Sequence, residues 1–369
     1  MKRQTQKTLS TAIVVLLKAI DKNSDGLSAT TIRGYKDGLT IIQKYYEDKK
    51  LKDITAAEIK TFLNETLLTI RLEKSGNKVG YSTKTRINVR LMLMKLFAHF
   101  CSLGELRLNP FIGTTINVVD REDMQETESY TLSELEELAQ VRDGDGVVEK
   151  MLFDAEMMCR VAESSAITTD SVDLKRGIWY IDKALVNGAV VSPKTNCSKR
   201  AVRLSPLAVQ IIAERIATGK TVTHTYALKG ETKTSEFVFF NPKTNKVWGN
   251  NSQLYRASRK YVERAGVKFR GNRPMRKTGV ENLTDRYEEL TESGHEFSHI
   301  PDHKALQVLI QSHIGHATDS TISRHYQNWK KNIRTSRQLL KIMSRSTLTQ
   351  ALKFKEGIID KAIAQLQTK

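Results

Sequence analysis

The sequence predicts a mainly α protein in two domains, with a small β-sheet or hairpin region near its middle. Three observations carry this. Apolar residues in the first third recur at helical spacing, acidic side chains crowd into 120–128, and short β-rich runs cluster between 178 and 204. At 369 residues the chain is long enough for two ordinary domains of about 100–200 residues each.

The elements follow in order. Met1-Lys2-Arg3 precedes the apolar run 12–17, but Lys18 interrupts that run and no small-residue cleavage site follows. An amphipathic first helix is expected there rather than a signal peptide. Thr30-Thr31-Ile32 opens a helix with Ile32, Tyr35, Leu39, Ile42 and Tyr45 on one face. Another starts at Ile54-Thr55, where Thr55 is placed to cap and Glu58 to complete a capping box. Residues 82–101 form a third, with Leu91, Met94 and Phe97 on one stripe, ending near Gly104 before Asn109-Pro110. Residues 1–119 are thus read as a helical domain and 120–130 as an acidic linker.

The second domain, 131–345, opens with a helix capped near Thr131-Leu132-Ser133-Glu134. A further apolar helix runs through Met151, Phe153, Met157 and Met158 towards Arg160. Strand-like runs at 178–181, 189–192 and 201–204 are separated by Asn187-Gly188, a strong hairpin signal, and by the polar stretch 194–200. From Pro206 onward helices are expected to dominate. Residues 346–369 read as a C-terminal amphipathic helix: Leu352, Ile358, Ile359, Ala362, Ile363 and Leu366 make an apolar stripe, with Lys353, Lys355 and Lys361 outside it. Such a stripe needs a groove to cover it.

The formal net charge of +18 points to a polyanionic partner. Its distribution separates nucleic acid from membrane. Between Arg256 and Lys277 there are nine basic residues against the single acid Glu263, and between Ser320 and Arg345 seven basic residues and no acid. Positive charge on several separated segments suits a phosphate backbone better than one polybasic membrane anchor. No stretch approaches the ~20 apolar residues that span a bilayer. Cys101, Cys159 and Cys197 have no paired spacing, which implies neither a disulfide framework nor a zinc knuckle, and points to a reducing, cytoplasmic location.

Chemistry concentrates in a set of cations and one tyrosine. Arg160 ends an apolar helix, where an unpaired charge is costly. Lys194 lies in the polar turn Ser192-Pro193-Lys194-Thr195. Arg273 and Arg276 stand three apart, one helical turn. His316 follows Ile314-Gly315, and Tyr326 follows ten residues later in Arg324-His325-Tyr326. A phosphodiester under attack gains charge on its non-bridging oxygens, which guanidiniums fork onto. Lysine or histidine can protonate a leaving oxygen, and tyrosine can attack phosphorus and store the bond as a phosphoester. Taken singly, each of these residue types is more often structural or on the surface.

In combination they resemble the tyrosine recombinase (phage integrase) family over nearly the whole chain. Residues 157–163, Met-Met-Cys-Arg-Val-Ala-Glu, resemble the family's first-arginine box, with Glu163 three positions after Arg160. Residues 192–200 resemble its hairpin with the catalytic lysine, and 273–278, Arg-Pro-Met-Arg-Lys-Thr, its His-x-x-Arg-His box. Ile314-Gly315-His316 resembles its Leu-Gly-His, and 324–326 its nucleophile segment. Each box alone is weak; five in order with rough spacing are specific. The resemblance implies a two-domain clamp on duplex DNA, a helical core-binding domain, with no separate small domain expected before it, followed by a catalytic domain. It implies an enzyme of site-specific recombination or integration, as carried by mobile genetic elements. That enzyme would cut and rejoin double-stranded DNA through a 3′-phosphotyrosine link, without metal, nucleotide or other cofactor. Tyr326 would be the nucleophile, Arg160 and Arg276 the phosphate ligands, Lys194 the general acid, His316 an assisting group and Glu163 the residue orienting Arg160. Lys277, Arg324 and Arg270 would contact DNA. The partners implied are a specific recombination site, a homo-tetramer on two duplexes with the C-terminal helix exchanged between protomers, and accessory DNA-bending proteins. The protein would then be nucleoid-associated when bound.

The chain departs from the family at three places. Arg273 and Lys277 stand where histidines are usual; Arg273 cannot act as a base, since guanidinium stays protonated, but it can still hold a phosphate. The stretch from Arg276 to His316 is longer, with extra residues around 287–303, and the step from His316 to Tyr326 is one residue longer. Tyr287, the nearest rival tyrosine, lies too far back to fit the order. Within the added stretch, His295-Glu296-Phe297-Ser298-His299 with His303 satisfies a zinc-protease pattern, but Gly294 before it and Ile300-Pro301 after it argue against one helix carrying both histidines. Two alternatives on the same scaffold are a non-catalytic site-specific DNA-binding protein and a type IB topoisomerase-like relaxing enzyme.

Overall fold

The computed structural model describes residues 7–22, 29–46, 49–69, 80–112, 116–119, 128–193, 198–297, 300–315, 337–345 and 347–368. The chain divides into two compact units, Met1–Glu126 and Thr127–Lys369, and is mainly helical with small antiparallel sheets. Among the described residues no helix is long and apolar enough to cross a membrane.

The first unit is built from α1 (Leu9–Lys22), α2 (Ala29–Tyr46), α3 (Ala56–Thr61) and α4 (Thr83–Ser102). Thr55 and Glu58 form the capping box at the start of α3, and the Ser82 hydroxyl accepts from the Thr85 amide at the start of α4. Helix α4 packs against both α1 and α2. It therefore buries a broad face of Val89, Met92, Leu93, Leu96, Phe97 and Phe100, while Leu91, assigned to the buried stripe from the sequence, turns outward. Arg86 is wholly buried, and its guanidinium donates to the carbonyls of Leu63 (3.2 Å) and Val119 (2.8 Å). That ties residues 116–119, where the chain leaves this unit, to α4.

The second unit begins with α5 (Leu132–Gln140), capped by the reciprocal Thr131–Glu134 pair. Helix α6 (Val147–Glu156) is buried over nearly its whole length. It stops at Glu156, four residues short of Arg160, and a turn with Met158 in the left-handed region (φ 49°) follows. Arg160 is consequently the N-cap of the short α7 (Val161–Ser164) and not the end of the preceding helix. Strands β1 (Val172–Asp173), β2 (Ile178–Ile181) and β5 (Arg200–Arg203) form one antiparallel sheet in the order β1-β2-β5. Between β2 and β5, β3 (Ala184–Val186) and β4 (Ala189–Val191) make a separate hairpin. Its turn residues Asn187 and Gly188 both have positive φ, 49° and 79°, the geometry that matches strand twist in a two-residue turn.

Helix α8 (Pro206–Ala217) follows, with Ser205 as cap and Pro206 in the first turn. Then comes an element that sequence reading missed. Strands β6 (Val222–Leu228) and β7 (Glu231–Phe237) pair around a Lys229-Gly230 turn in a region expected to be helical. Most of this hairpin is solvent-facing, so its Thr-rich strands lack the apolar alternation that reveals a half-buried strand. Three helices, α9 (Asn251–Arg264), α10 (Pro274–Glu292) and α11 (His303–Ile314), complete the body of the unit. Residues 337–343 are also helical. The C-terminal segment is two helices instead of one: α12 (Leu348–Leu352) and α13 (Ile358–Gln367) are separated by positive φ at Lys353 (46°) and Gly357 (68°). Here α13 lies along α8 of its own chain, with Ile358 and Ala362 buried.

One contact fixes how α10 meets α6. At Gly279 a Cβ would lie 1.8 Å from the Ala155 carbonyl oxygen and 2.8 Å from Met158 Cγ. Only glycine permits this approach, and Gly279 lies about one turn along α10 from Arg276. Substituting Gly279→Ala is expected to lower stability by about 1–3 kcal/mol, the usual range for overpacking a filled core. Urea denaturation measures it; an unchanged midpoint would mean that the two helices separate freely.

Candidate active site

The last carbonyls of a helix have no partner within it and carry the negative end of its dipole. Helix α11 ends at Ile314, with Gly315 in the left-handed conformation (φ 67°) as its C-cap. Three guanidiniums meet three successive carbonyls there. Arg200 Nε donates to the His313 oxygen (2.6 Å), Arg276 Nη2 to Ile314 (2.9 Å) and Arg160 Nη2 to Gly315 (3.4 Å).

The arginines arrive from three elements. Arg160 caps α7, Arg200 opens β5, and Arg276 sits in the first turn of α10. Glu163, itself buried, binds two of them. Its Oε1 accepts from Arg160 Nη1 (2.6 Å) and Arg200 Nη1 (3.2 Å); its Oε2 accepts from Arg200 Nη2 (3.0 Å) and the Arg160 amide (3.1 Å). The Ser198 hydroxyl takes a further bond from Arg160 Nη1 (3.2 Å). Burial alone would raise the Glu163 carboxyl, but the Arg200 and Arg160 charges outweigh it and hold it down at about 2. Glu163 is thus an anion at any working pH.

Three guanidiniums around one carboxylate leave two positive charges in excess. Arg276 registers this: burial, followed by repulsion from Arg160, lowers its guanidinium to about 10, still protonated at neutral pH. Its Nη1 is buried with no acceptor among the described residues. The Arg160 side chain remains 39% exposed and can meet a ligand. Chemically, such a cluster is suited to an oxyanion with several acceptor oxygens. Beneath it, the buried Lys150 ammonium binds Asp154 (2.8 Å) and the Ser164 hydroxyl (2.7 Å), tying α6 to α7.

The structure therefore brings together Arg160, Glu163 and Arg276. Arg273 caps α10 and is exposed, three residues before Arg276. Lys277 is ion-paired with Glu281 (3.4 Å) on the same helix. Arg270 stands outside the cluster: its guanidinium is bound by Glu128 and Glu134 and lies over the Tyr130 ring, and it is only 14% exposed. Lys194, His316, Arg324 and Tyr326 lie outside the described residues. Helix α10 ends at Glu292, so His295 follows it in non-helical chain next to Arg345, while His303 begins α11. His299, the other histidine of that pattern, is outside the described residues. The Tyr287 hydroxyl is buried and donates to the Ile300 carbonyl (2.8 Å), a structural role. Two residues escaped sequence reasoning, Arg200 and His313. Arg200 is hidden in a polar run beside a strand. His313 was signalled by its helical spacing from Leu306, Leu309 and Ile310 on the buried face of α11.

No protein-family model matches the chain, and no curated protein does either. Solved structures do. The integrase of transposon Tn1549 in complex with a circular intermediate DNA is 16% identical, covering 86% of this chain and 94% of that one, with a TM-score of 0.60. A lambda integrase dimer bound to a COC' core site is 16% identical over 88% of this chain and 78% of that one, with a TM-score of 0.57. A lambda integrase tetramer bound to a Holliday junction is 15% identical over 85% and 79%, with a TM-score of 0.55. The chain has the fold of these integrases.

His313 offers a test of the integrity of this site. Its Nε2 lies 3.1 Å from the Met157 carbonyl, just ahead of the turn that delivers Arg160. Burial, then the charge of Arg200, lowers its pKa from 6.5 to about 3. An unfolded chain takes up this proton near 6.5 and the folded chain only near 3, so folding stability contributed here is lost as pH falls through that window. His313→Gln, which keeps the donor and cannot titrate, is expected to flatten the fall in melting temperature between about pH 7 and 5. A variant retaining the full wild-type slope would place the titration elsewhere.

Proposed function

We propose that the chain is a tyrosine recombinase, cutting and rejoining double-stranded DNA at a specific site. The observation that carries this is the guanidinium cluster at the end of α11: Arg160 and Arg276 share one anchoring helix end, with two positive charges unneutralised and one Nη unpartnered. A scissile phosphate supplies the missing oxygens. Tyr326 attacks phosphorus; the bond from its Oη to phosphorus forms as the bond to the 5′ oxygen breaks, leaving a 3′-phosphotyrosine and a 5′-hydroxyl. Lys194 gives a proton to the leaving oxygen, and His316 assists at the phosphate. Arg273 adds positive charge without moving a proton. A partner 5′-hydroxyl then attacks the link and reverses the chemistry, so bond energy is conserved.

The surrounding surface supports a nucleic-acid partner. Arg256, Arg259 and Lys260 lie exposed along α9, which is followed by the basic stretch leading to Arg276 and Lys277. In this reading residues 1–119 supply a second DNA-binding domain and 131–345 the chemistry. The working assembly is a homo-tetramer on two duplexes; exchange of the C-terminal segment within it would require α13 to leave α8. The lambda integrase tetramer on a Holliday junction supports such an assembly by likeness of fold.

The test uses a supercoiled plasmid carrying the DNA that flanks the chain's own coding region, with protein–DNA adducts trapped in detergent. The expected result is a covalent adduct and recombinant products, both undiminished by excess EDTA, because the cations on the phosphate are side chains. Tyr326→Phe should bind DNA as the wild type does and form no adduct, since it loses only the nucleophilic hydroxyl. An adduct from the Phe variant would assign the attack to another residue. Relaxed plasmid without recombinants would assign a topoisomerase, and binding without any adduct a non-catalytic factor.

A further inference from the structure

Of the three guanidiniums at the end of α11, Arg200 is sealed from solvent: its side chain is 1% exposed, against 39% for Arg160. No phosphate can reach it from solution. Yet its bonds all go to groups that set the other two arginines. Nη1 and Nη2 take the two oxygens of Glu163, the carboxylate that holds Arg160 by its amide and by its Nη1. Nη1 also donates to the carbonyl of Ser198 (3.0 Å), whose hydroxyl accepts from Arg160. Nε donates to the carbonyl of His313, next in line to the carbonyls that hold Arg276 and Arg160.

The sharing of Glu163 Oε1 is the telling detail. Arg160 and Arg200 both donate to that one oxygen, at 2.6 and 3.2 Å. With Arg200 in place, the carboxylate is divided between two cations and its rotation is fixed from behind. Without Arg200, Glu163 is free to turn fully onto Arg160 and draw that guanidinium back from solvent. The α11 terminus would lose one of its three ties at the same time.

We infer that Arg200 is a positioning residue for phosphate chemistry: it clamps Glu163 and the α11 terminus so that Arg160 and Arg276 converge on one oxyanion without itself touching it. This rests on the recombinase reading of the preceding subsection. A planar fork suits the task, since Arg200 satisfies four acceptors on three segments; a lysine is a point charge that cannot span both carboxylate oxygens and both carbonyls.

The experiment measures single-turnover cleavage of the duplex that the wild type is found to cut, nicked near the cleavage position so that the product departs. Arg200→Lys is expected to fold, by circular dichroism, and to bind that duplex within about threefold of wild type, since the affinity of a DNA-binding surface rests on the exposed cations. Its cleavage should slow by roughly 100-fold or more, the scale of a small misplacement of reacting groups. In an Arg160→Lys background the same change should slow cleavage by no more than about threefold further, because the two act through one carboxylate. A structural role alone would multiply both losses in full. Wild-type cleavage by Arg200→Lys, or full multiplication in the double variant, would overturn the inference. Arg200→Gln, still able to donate to Glu163, is the second variant. Unfolding of both would also overturn it, by assigning Arg200 to the core at large. Absence of any covalent adduct from the wild type would instead sink the recombinase reading and is visible in the same gels.

Discussion

The C-terminal end of α11 is where the electrostatics of the second unit are settled. Burying a charge is costly unless it is paired and hydrogen-bonded, and removing one partner of a buried pair typically costs about 3–5 kcal/mol. Glu163 is such a buried charge, and Arg200 and Arg160 hold it between them. The guanidiniums in turn need acceptors, and the carbonyls of residues 313–315 at the helix end provide them with the added favour of the helix dipole. Each party solves the other's problem. The helix end would otherwise carry unsatisfied carbonyls, and three like charges would otherwise repel without any fixed anchor.

The remainder of the unit can be understood as the means of bringing three arginines to that helix end. Met158, held at positive φ, reverses the chain after α6 so that Arg160 caps α7. A left-handed methionine is unfavourable by itself and persists because its side chain is locked in the core beside Gly279. Gly279 lets α10 approach α6 closely enough for Arg276, one turn earlier, to reach Ile314. Pairing of β5 with β2 fixes the register that points Arg200 inward, with Ile181 opposite it. Strain, close packing and strand register therefore converge on one small volume.

Much of this was legible in the sequence, and what was missed has physical causes. The helix starts at Thr55, Ser82 and Thr131 were readable because capping is local, a matter of a side chain and an amide three residues on. The Asn187-Gly188 turn was readable for the same reason. Arg160, Glu163 and Arg276 were named from motif order, and the structure gathers them. Arg200 was not singled out, because nothing local distinguishes a buried arginine from an exposed one at the start of a strand; its partners lie on α7 and α11. The β6–β7 hairpin was missed because a solvent-facing strand has little apolar alternation to read. The single C-terminal helix expected from its stripe breaks at Lys353 and Gly357, where positive φ overrides a pattern that continues across the break.

In the reaction proposed for it, the cluster would favour the transition state over the ground state. Two positive charges beyond the one that Glu163 neutralises are held close together; burial first, and then the neighbouring charge of Arg160, lowers the Arg276 guanidinium. An arriving phosphodiester with a single negative charge would relieve part of that repulsion. When a nucleophile attacks, charge on the non-bridging oxygens grows, and relief grows with it. Because the guanidiniums are already fixed to α11 and Glu163, little reorganisation is required at that moment, which is the condition under which electrostatic stabilisation becomes catalytic. Arg160 and Arg276 can serve this purpose only while something else carries the cost of keeping Glu163 ionised and oriented. In the proposed reaction the division of labour, with Arg200 sealed inside and Arg160 left partly exposed for the phosphate, would follow from the geometry of a single carboxylate shared between those two.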